Sequence, residues 1–265
     1  MSIMENILEK LDLRFPETEG EMRKVIEKQC GIFGDRYDFY DDLYVWSGNK
    51  SLLAAFCGEE AVGAVSFPEI SYTTKGNTFK GGYIFAAWVS PEYRGMGIFS
   101  LLMDKAESLM LERGYSFAFV VPAEKALFPM YEKLGYTVEA ENGFPYSASR
   151  EILREYNPTD DIYMLWKVYS RIHDTIGKDM EFFNHAMRVM EEEGKCFAIS
   201  KRGYVVYAPR YDNTITVYDR MENGSLRDGG KRTVRGLCKM LGGDKAFEKT
   251  TFNAFFEPTY EIFKK

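Results

Sequence analysis

Ser90-Pro91-Glu92-Tyr93-Arg94-Gly95-Met96-Gly97-Ile98-Phe99 is the stretch whose residue types and spacing suit it best to chemistry. Gly95 and Gly97 remove side chains where a backbone must turn sharply, and the amides from Gly95 to Phe99 then stand at the positive end of a helix without acceptors inside it. Such a place binds phosphate. Arg94 adds a full charge beside it and can contribute to the same anion site. A strand followed by Arg-Gly-x-Gly is equally the pattern of a glycine-rich strand-to-helix turn that binds nothing, and both readings stand at this point.

The elements around that turn can be read from periodicity. Tyr83 to Val89 is apolar without a break, as a central strand covered on both faces should be. Ile98, Leu101, Leu102, Ala106 and Leu109 recur at helical spacing, Gly114 stops the helix, and Ser116 to Val121 supplies a further strand. Upstream, Ile7 to Phe15 reads as a strand, Pro16 opens a helix running to Phe33, and Asp35 to Trp46 reads as a second helix. Ser51 to Cys57 and Ala61 to Phe67 form a hairpin about Gly58-Glu59-Glu60, followed by a polar loop, Thr73 to Asn77. Downstream, Pro129 and Gly135 bracket a short helix, with a strand from Tyr136 to Ala140. Past Tyr146-Ser147-Ala148 the pattern begins again: helices at 160–174 and 179–193, strands at 196–200, 204–207 and 214–218, a helix at 233–241 and a strand at 250–256. The order resembles that of the first half and suggests a diverged duplication, with domains at 1–148 and 149–265.

Composition sets the outer limits. With 265 residues, 45% hydrophobic and 15% aromatic, the chain has enough apolar surface for one large domain or two closely joined ones. A net charge of −6 argues against nucleic acid as the main partner, since gripping a phosphate backbone needs clustered Lys and Arg. The charge is uneven: residues 1–148 carry 14 basic against 22 acidic side chains, and 149–265 carry 20 against 18. No signal-like N-terminus and no run of about 18 apolar residues is present, so a cytoplasmic location without membrane association is expected. Cys30, Cys57, Cys196 and Cys238 stand singly, which predicts four buried thiols rather than a disulfide or metal framework, and His173 and His185 offer little material for a triad.

At this point the residues resemble the GCN5-related N-acetyltransferase superfamily. The match is to its Q/R-x-x-G-x-G/A pattern, here Arg94-Gly95-Met96-Gly97-Ile98-Phe99, followed some thirty residues later by Tyr131-Glu132-Lys133-Leu134-Gly135-Tyr136. It covers roughly residues 5–145. Phe99 departs from the usual Gly or Ala, a variant similar to the enhanced intracellular survival type, which carries a second, degenerate acetyltransferase-like domain and then a sterol-carrier-like domain that this chain is expected to lack. The resemblance implies an α/β (α+β) fold with a mixed, mostly antiparallel central sheet flanked by helices, followed by a smaller domain of the same kind. It also implies acetyl-CoA as cosubstrate. Backbone groups of Ala87, Trp88 and Val89 would pair with the pantetheine arm, Arg94 and the amides of Gly95, Met96, Gly97, Ile98, Phe99 and Ser100 would hold the diphosphate, and Ala126 and Leu127 would touch the cofactor. Tyr131 would protonate the leaving thiolate, and the amide near Val89, where the central strand splays from its neighbour, would stabilise the oxyanion.

No carboxylate lies within Tyr83 to Val89, so the base is open among water, Glu69, Glu92, Glu124 and the second half. The acceptor is read from the segment 37–46, which lines the acceptor pocket in relatives. Phe39, Leu43 and Trp46 make one apolar helical face, while Tyr37, Asp38, Asp41 and Asp42 fall outside it; acid among aromatics suits a cationic amine, although an ordinary solvated face has the same pattern. Asp228-Gly229-Gly230-Lys231-Arg232-Thr233 is either a plain helix start or an eroded second anion site. The expected activity is acetyl transfer from acetyl-CoA to a small-molecule primary amine in a ternary complex, the alternative being a non-catalytic acyl-CoA-binding or sensing protein.

Overall fold

Residues 7–46, 50–74, 76–143, 145–227, 229, 234–242, 247–248 and 250–252 are described by a computed structural model of the chain. In chain order the elements are β1 (Leu11–Arg14), α1 (Glu19–Phe33), α2 (Tyr37–Trp46), β2 (Leu52–Cys57), β3 (Glu60–Ser66), β4 (Glu69–Thr74), β5 (Asn77–Val89), α3 (Ile98–Glu112), β6 (Phe117–Val120), α4 (Phe128–Lys133), β7 (Val138–Asn142) and β8 (Tyr146–Ser149). There follow β9 (Asn157–Pro158), α5 (Ile162–Tyr169), β10 (Thr175–Lys178), α6 (Met180–Glu192), β11 (Cys196–Ile199), β12 (Gly203–Pro209), β13 (Thr214–Glu222), β14 (Ser225–Leu226), β15 (Val234–Met240) and β16 (Thr250–Phe252). The chain forms two compact units that interleave along the sequence, one of residues 1–69, 81–120 and 240–244, the other of 70–80, 121–239 and 245–265. No helix among the described residues is long and apolar enough to cross a membrane.

In the first unit, β1, β2, β3 and β5 run antiparallel in that order, and β5 is parallel to β6. The Thr18 hydroxyl caps α1 by accepting from the amide of Glu21 at 3.2 Å, and Gly34, at φ 78°, ends the helix by donating to the carbonyl of Cys30. Arg14 at the end of β1 meets Glu21 through two parallel bonds of 2.8 and 2.6 Å, which ties the first strand to the first helix. The core is built from Val25 and Ile26 of α1, Leu52 to Phe56 of β2, and Ile98, Leu102, Met103, Ala106 and Met110 of α3. Two glycines set how closely α3 and β6 approach β5: a Cβ on Gly82 would lie 2.7 Å from Met110 Sδ, and one on Gly81 2.6 Å from the Phe117 ring.

The second unit holds the strand series β4, β10, β16, β7, β15 and a separate six-stranded sheet, β14, β13, β12, β11, β9 with β8 on β13. Helices α5 and α6 pack Leu165, Tyr169, Phe183 and Met187 against Phe197, Tyr204 and Val206 of the latter. Several sequence readings need correction. Residues 234–240 are a strand, not a helix: Leu237, Cys238 and the chain beside them pair antiparallel with β7, and that long-range ladder overrides the helical spacing of Val234, Leu237, Cys238 and Leu241. The chain expected to be polar loop near Thr73 is β4 up to Thr74, and the helix expected to reach residue 174 ends at Tyr169, leaving room for β10. Of the four cysteines only Cys238 is buried, the other three being half-exposed.

Candidate active site

The centre of β5 is irregular. Gly63 pairs with Val89 and Ala64 with Trp88, but Ser66 pairs with Phe85, so β5 carries one residue more than β3 between these positions. Ala86 takes up the excess at φ 45°, a left-handed conformation that costs a non-glycine residue roughly 1–2 kcal/mol. On the other edge of β5 the pairing with β6 runs from Gly81 with Phe117 to Ile84 with Val120 and ends there. Past that point no strand among the described residues of this unit pairs with that edge of β5, and Phe85, Ala86 and Ala87 are half-exposed in a strand whose neighbours on both sides are buried. Ser90 donates to the carbonyl of Val62 at 2.9 Å. By the alternation of an antiparallel ladder, Val89 therefore turns its own N–H and C=O away from β3, toward the edge that β6 has left.

The turn that follows has the geometry its glycines require. A single 3-10 turn, Pro91–Tyr93, leads to Arg94; Gly95 and Gly97 lie at φ 79° and 81°, and nothing stands within 4 Å of where their Cβ atoms would be. Gly97 is the N-cap of α3 and no side chain caps the helix. The first bond inside α3 is from Leu101 to Gly97, so Gly97, Ile98 and Ser100 present amides that the helix itself does not use, with Met96 half-buried before them and Phe99 half-buried in the same turn. Arg94 is exposed, and its Nε donates to the carbonyl of Val89 at 3.1 Å. The Trp88 indole N–H is buried without a hydrogen-bond partner among the described residues. A strand edge with no strand partner among the described residues of its unit, beside an open glycine turn rich in amides, has the form to receive a chain of alternating amides ending in a diphosphate, which is the form of coenzyme A.

Helix α2 buries Tyr40, Leu43 and Tyr44, with Phe39 half-buried, whereas the sequence placed Phe39, Leu43 and Trp46 inside; the side chain of Trp46 lies outside the described residues. Phe39 and Tyr40 meet the half-exposed Phe85 at ring distances of 6.0 and 6.1 Å. Tyr37, Asp38 and Asp42 are exposed and Asp41 half-exposed. Asp38 is already paired with Arg36, which holds its carboxyl below the usual range. Asp35, which sequence reasoning passed over, accepts the Tyr40 hydroxyl at 2.6 Å, and burial raises its carboxyl above the ordinary value.

The second unit carries Ala126, exposed, and Leu127, half-exposed, in the 3-10 turn before α4, and Tyr131 within α4. Tyr131 is buried, edge-on to Tyr136 at 5.8 Å, and burial lifts its phenol well above the usual tyrosine value. It is therefore protonated throughout the neutral range, and a harder proton donor than an exposed tyrosine. Of the segment 228–233 only Gly229 is among the described residues, so the reading of that segment as a helix start or a second anion site lies outside them; the element that follows is the strand β15.

Sequence reasoning missed a buried polar chain behind the β5 irregularity. Gln29 of α1, Tyr44 of α2 and Ser66 of β3 are all essentially inaccessible. A signal was present: Met22, Val25, Ile26 and Gln29 fall on one helical stripe, and an amide on an apolar stripe needs a buried partner.

A family model described as an acetyltransferase (GNAT) domain matches residues 16–138. Among solved structures, a GCN5-related N-acetyltransferase from Kribbella flavida is 17% identical, with 87% of this chain and 72% of that one covered at a TM-score of 0.64. Eis1 from Mycobacterium abscessus is 15% identical, covering 80% of this chain and 58% of its own at a TM-score of 0.62. A GCN5-related N-acetyltransferase from Anabaena variabilis ATCC 29413 is 14% identical, covering 87% and 72% at 0.63.

Proposed function

We propose, from the premise that residues 16–138 belong to the GNAT acetyltransferase family, that this chain transfers the acetyl group of acetyl-CoA to a small-molecule primary amine by direct attack in a ternary complex. The observation that carries the reading is the end of the β5–β6 ladder at Ile84 and Val120, directly before the irregular stretch of β5 and one turn before the paired left-handed glycines of the α3 terminus. Acetyl-CoA supplies the activated thioester. Backbone groups of Ala87, Trp88 and Val89 align its pantetheine arm as a strand would. The amides of Gly95, Met96, Gly97, Ile98, Phe99 and Ser100, with Arg94, hold the diphosphate. The Val89 N–H meets the negative charge that develops on the carbonyl oxygen as the amine attacks.

Ala126 and Leu127 are assigned to cofactor contact and Tyr131 to protonating the departing thiolate. The acceptor is a cationic amine that approaches along α2, where Tyr37, Asp38, Asp41 and Asp42 offer an acidic, aromatic surface, and it loses its proton before attack. Residues 149–265 form a degenerate domain of the same kind, as in the enhanced intracellular survival type, and the protein works in the cytoplasm. Coenzyme A release, measured across a panel of polyamines, aminoglycosides and neutral amines, tests the reading. Turnover with cationic amines supports it; tight acetyl-CoA binding with no turnover for any amine would point to a sensing protein, and preference for neutral amines would overturn the acceptor class.

A further inference from the structure

Behind the exposed edge of β5 lies a connected set of buried polar groups that no step of the reaction uses directly. Gln29 Nε2, on a side chain that water does not reach, donates to the carbonyl oxygen of the half-exposed Ala86 at 3.4 Å, a long contact. The Tyr44 hydroxyl donates to Gln29 Oε1 at 3.0 Å and lies 2.6 Å from Ser66 Oγ. Because the one phenolic proton goes to Gln29, Ser66 is the donor in the second contact. Ser66 pairs with Phe85 and Ala86 is the left-handed residue, so the chain grips both sides of the place where β5 gains its extra residue.

A left-handed alanine relaxes unless its surroundings hold it. The β3 ladder beside this stretch could pair equally well in a regular register, whereas the Gln29 side chain, aimed at the Ala86 carbonyl, favours the irregular one. We infer that Gln29 is a positioning residue for acetyl transfer, and that with Tyr44 and Ser66 it fixes the Ala86 peptide so that the backbone of Ala87 to Val89 faces the thioester. The inference rests on the site proposed above. It adds that α2, which carries the acceptor surface, is wired through Tyr44 to the strand that holds the acyl group.

Three variants test it. Gln29→Met keeps the volume and removes both hydrogen bonds; Tyr44→Phe keeps the ring and removes the far link; Gln29→Glu offers an O–H donor to Ala86 only while its carboxyl is neutral. Amide hydrogen exchange of residues 85–89 reads the backbone directly, and steady-state kinetics read catalysis. The expected result is faster exchange at 85–89 in Gln29→Met, with kcat reduced about 10- to 100-fold and the acetyl-CoA KM little changed. Tyr44→Phe shows a smaller loss of the same kind. For Gln29→Glu, the ratio of its kcat to that of the unaltered protein falls as pH rises and the new carboxyl ionises. The neighbouring titratable groups, Cys30, Asp35, Tyr40 and Tyr44, are common to both proteins and cancel in that ratio. Unchanged exchange at 85–89 in Gln29→Met, or a Gln29→Glu ratio independent of pH, would overturn the role of Gln29 even in a fully active enzyme. Faster exchange in a protein whose unaltered form binds no acetyl-CoA would instead overturn the site, and the catalytic role of Gln29 with it.

Discussion

The Nε of Arg94 donates to the carbonyl oxygen of Val89 at 3.1 Å, so the residue that opens the glycine turn is fastened to the residue that closes the central strand. Neither Nη group makes a hydrogen bond among the described residues. Replacing Arg94 by Ala removes the fastening and the charge together, and coenzyme A affinity measured by calorimetry is expected to fall about 10- to 100-fold. Arg94→Lys recovers only part of it, because an ammonium cannot hold Val89 and face a phosphate through a rigid fork. An unchanged affinity in Arg94→Ala would remove the residue from the cofactor site.

Gly63 sets the spacing at the other side of Val89. A Cβ there would stand 2.9 Å from the Trp88 carbonyl oxygen and 3.1 Å from Leu102, and a backbone atom cannot rotate away as a side chain can. Gly63→Ala is expected to cost about 1–3 kcal/mol of stability, read as a lower Tm, and to weaken coenzyme A binding because the shift falls on Trp88 and Val89. A variant with the original Tm and affinity would show that β3 and β5 can part without moving the site.

The Arg14–Glu21 pair gives the fold a pH signature. Its two bonds, and the Glu17 amide at 2.8 Å, hold the Glu21 carboxyl down at about 2 from an ordinary 4.5. Because the folded value is depressed, the stabilisation is complete above the unfolded value and is lost as pH falls from 4.5 toward 2. The pair is partly exposed, so solvent screening limits its worth to about 1 kcal/mol. Glu21→Gln should therefore be less stable near neutral pH in urea denaturation, with the gap to the unaltered protein closing as the solution is acidified. A gap that stays constant with pH would contradict the assignment.

Tyr131 tests the proton-donor role. Burial keeps its phenol protonated across the working range, so its ionisation should add no descending limb to the rate profile near neutral pH, and the rate should climb as the acceptor amine loses its proton. Tyr131→Phe is expected to lose about 100-fold or more in turnover while retaining acetyl-CoA affinity. Full activity in that variant would remove Tyr131 from the reaction.

Much of this was legible from the chain. The apolar run ending at Val89, Gly95 and Gly97, and the stop at Gly114 are local signals, and the strand, turn, helix and strand they announce are present. What local reading could not supply depends on distant partners. Residues 234–240 have helical spacing but lie beside β7, some hundred positions earlier in the chain, and the pairing decides their conformation. The irregularity at Ala86 is hidden in an uninterrupted apolar run, because a strand and a strand with one residue too many have the same composition. Gln29 was visible only as an amide on an apolar stripe, and its partner could not be named until Ala86 was seen in its left-handed conformation.

The central claim is that peptide amides at the end of β5 and the start of α3 hold coenzyme A. Amide hydrogen exchange of the unaltered protein with and without saturating coenzyme A measures this directly. Slowed exchange at residues 87–89 and 95–100, accompanied by a binding heat in calorimetry, is the predicted result; exchange in both segments left unchanged at millimolar coenzyme A would contradict it.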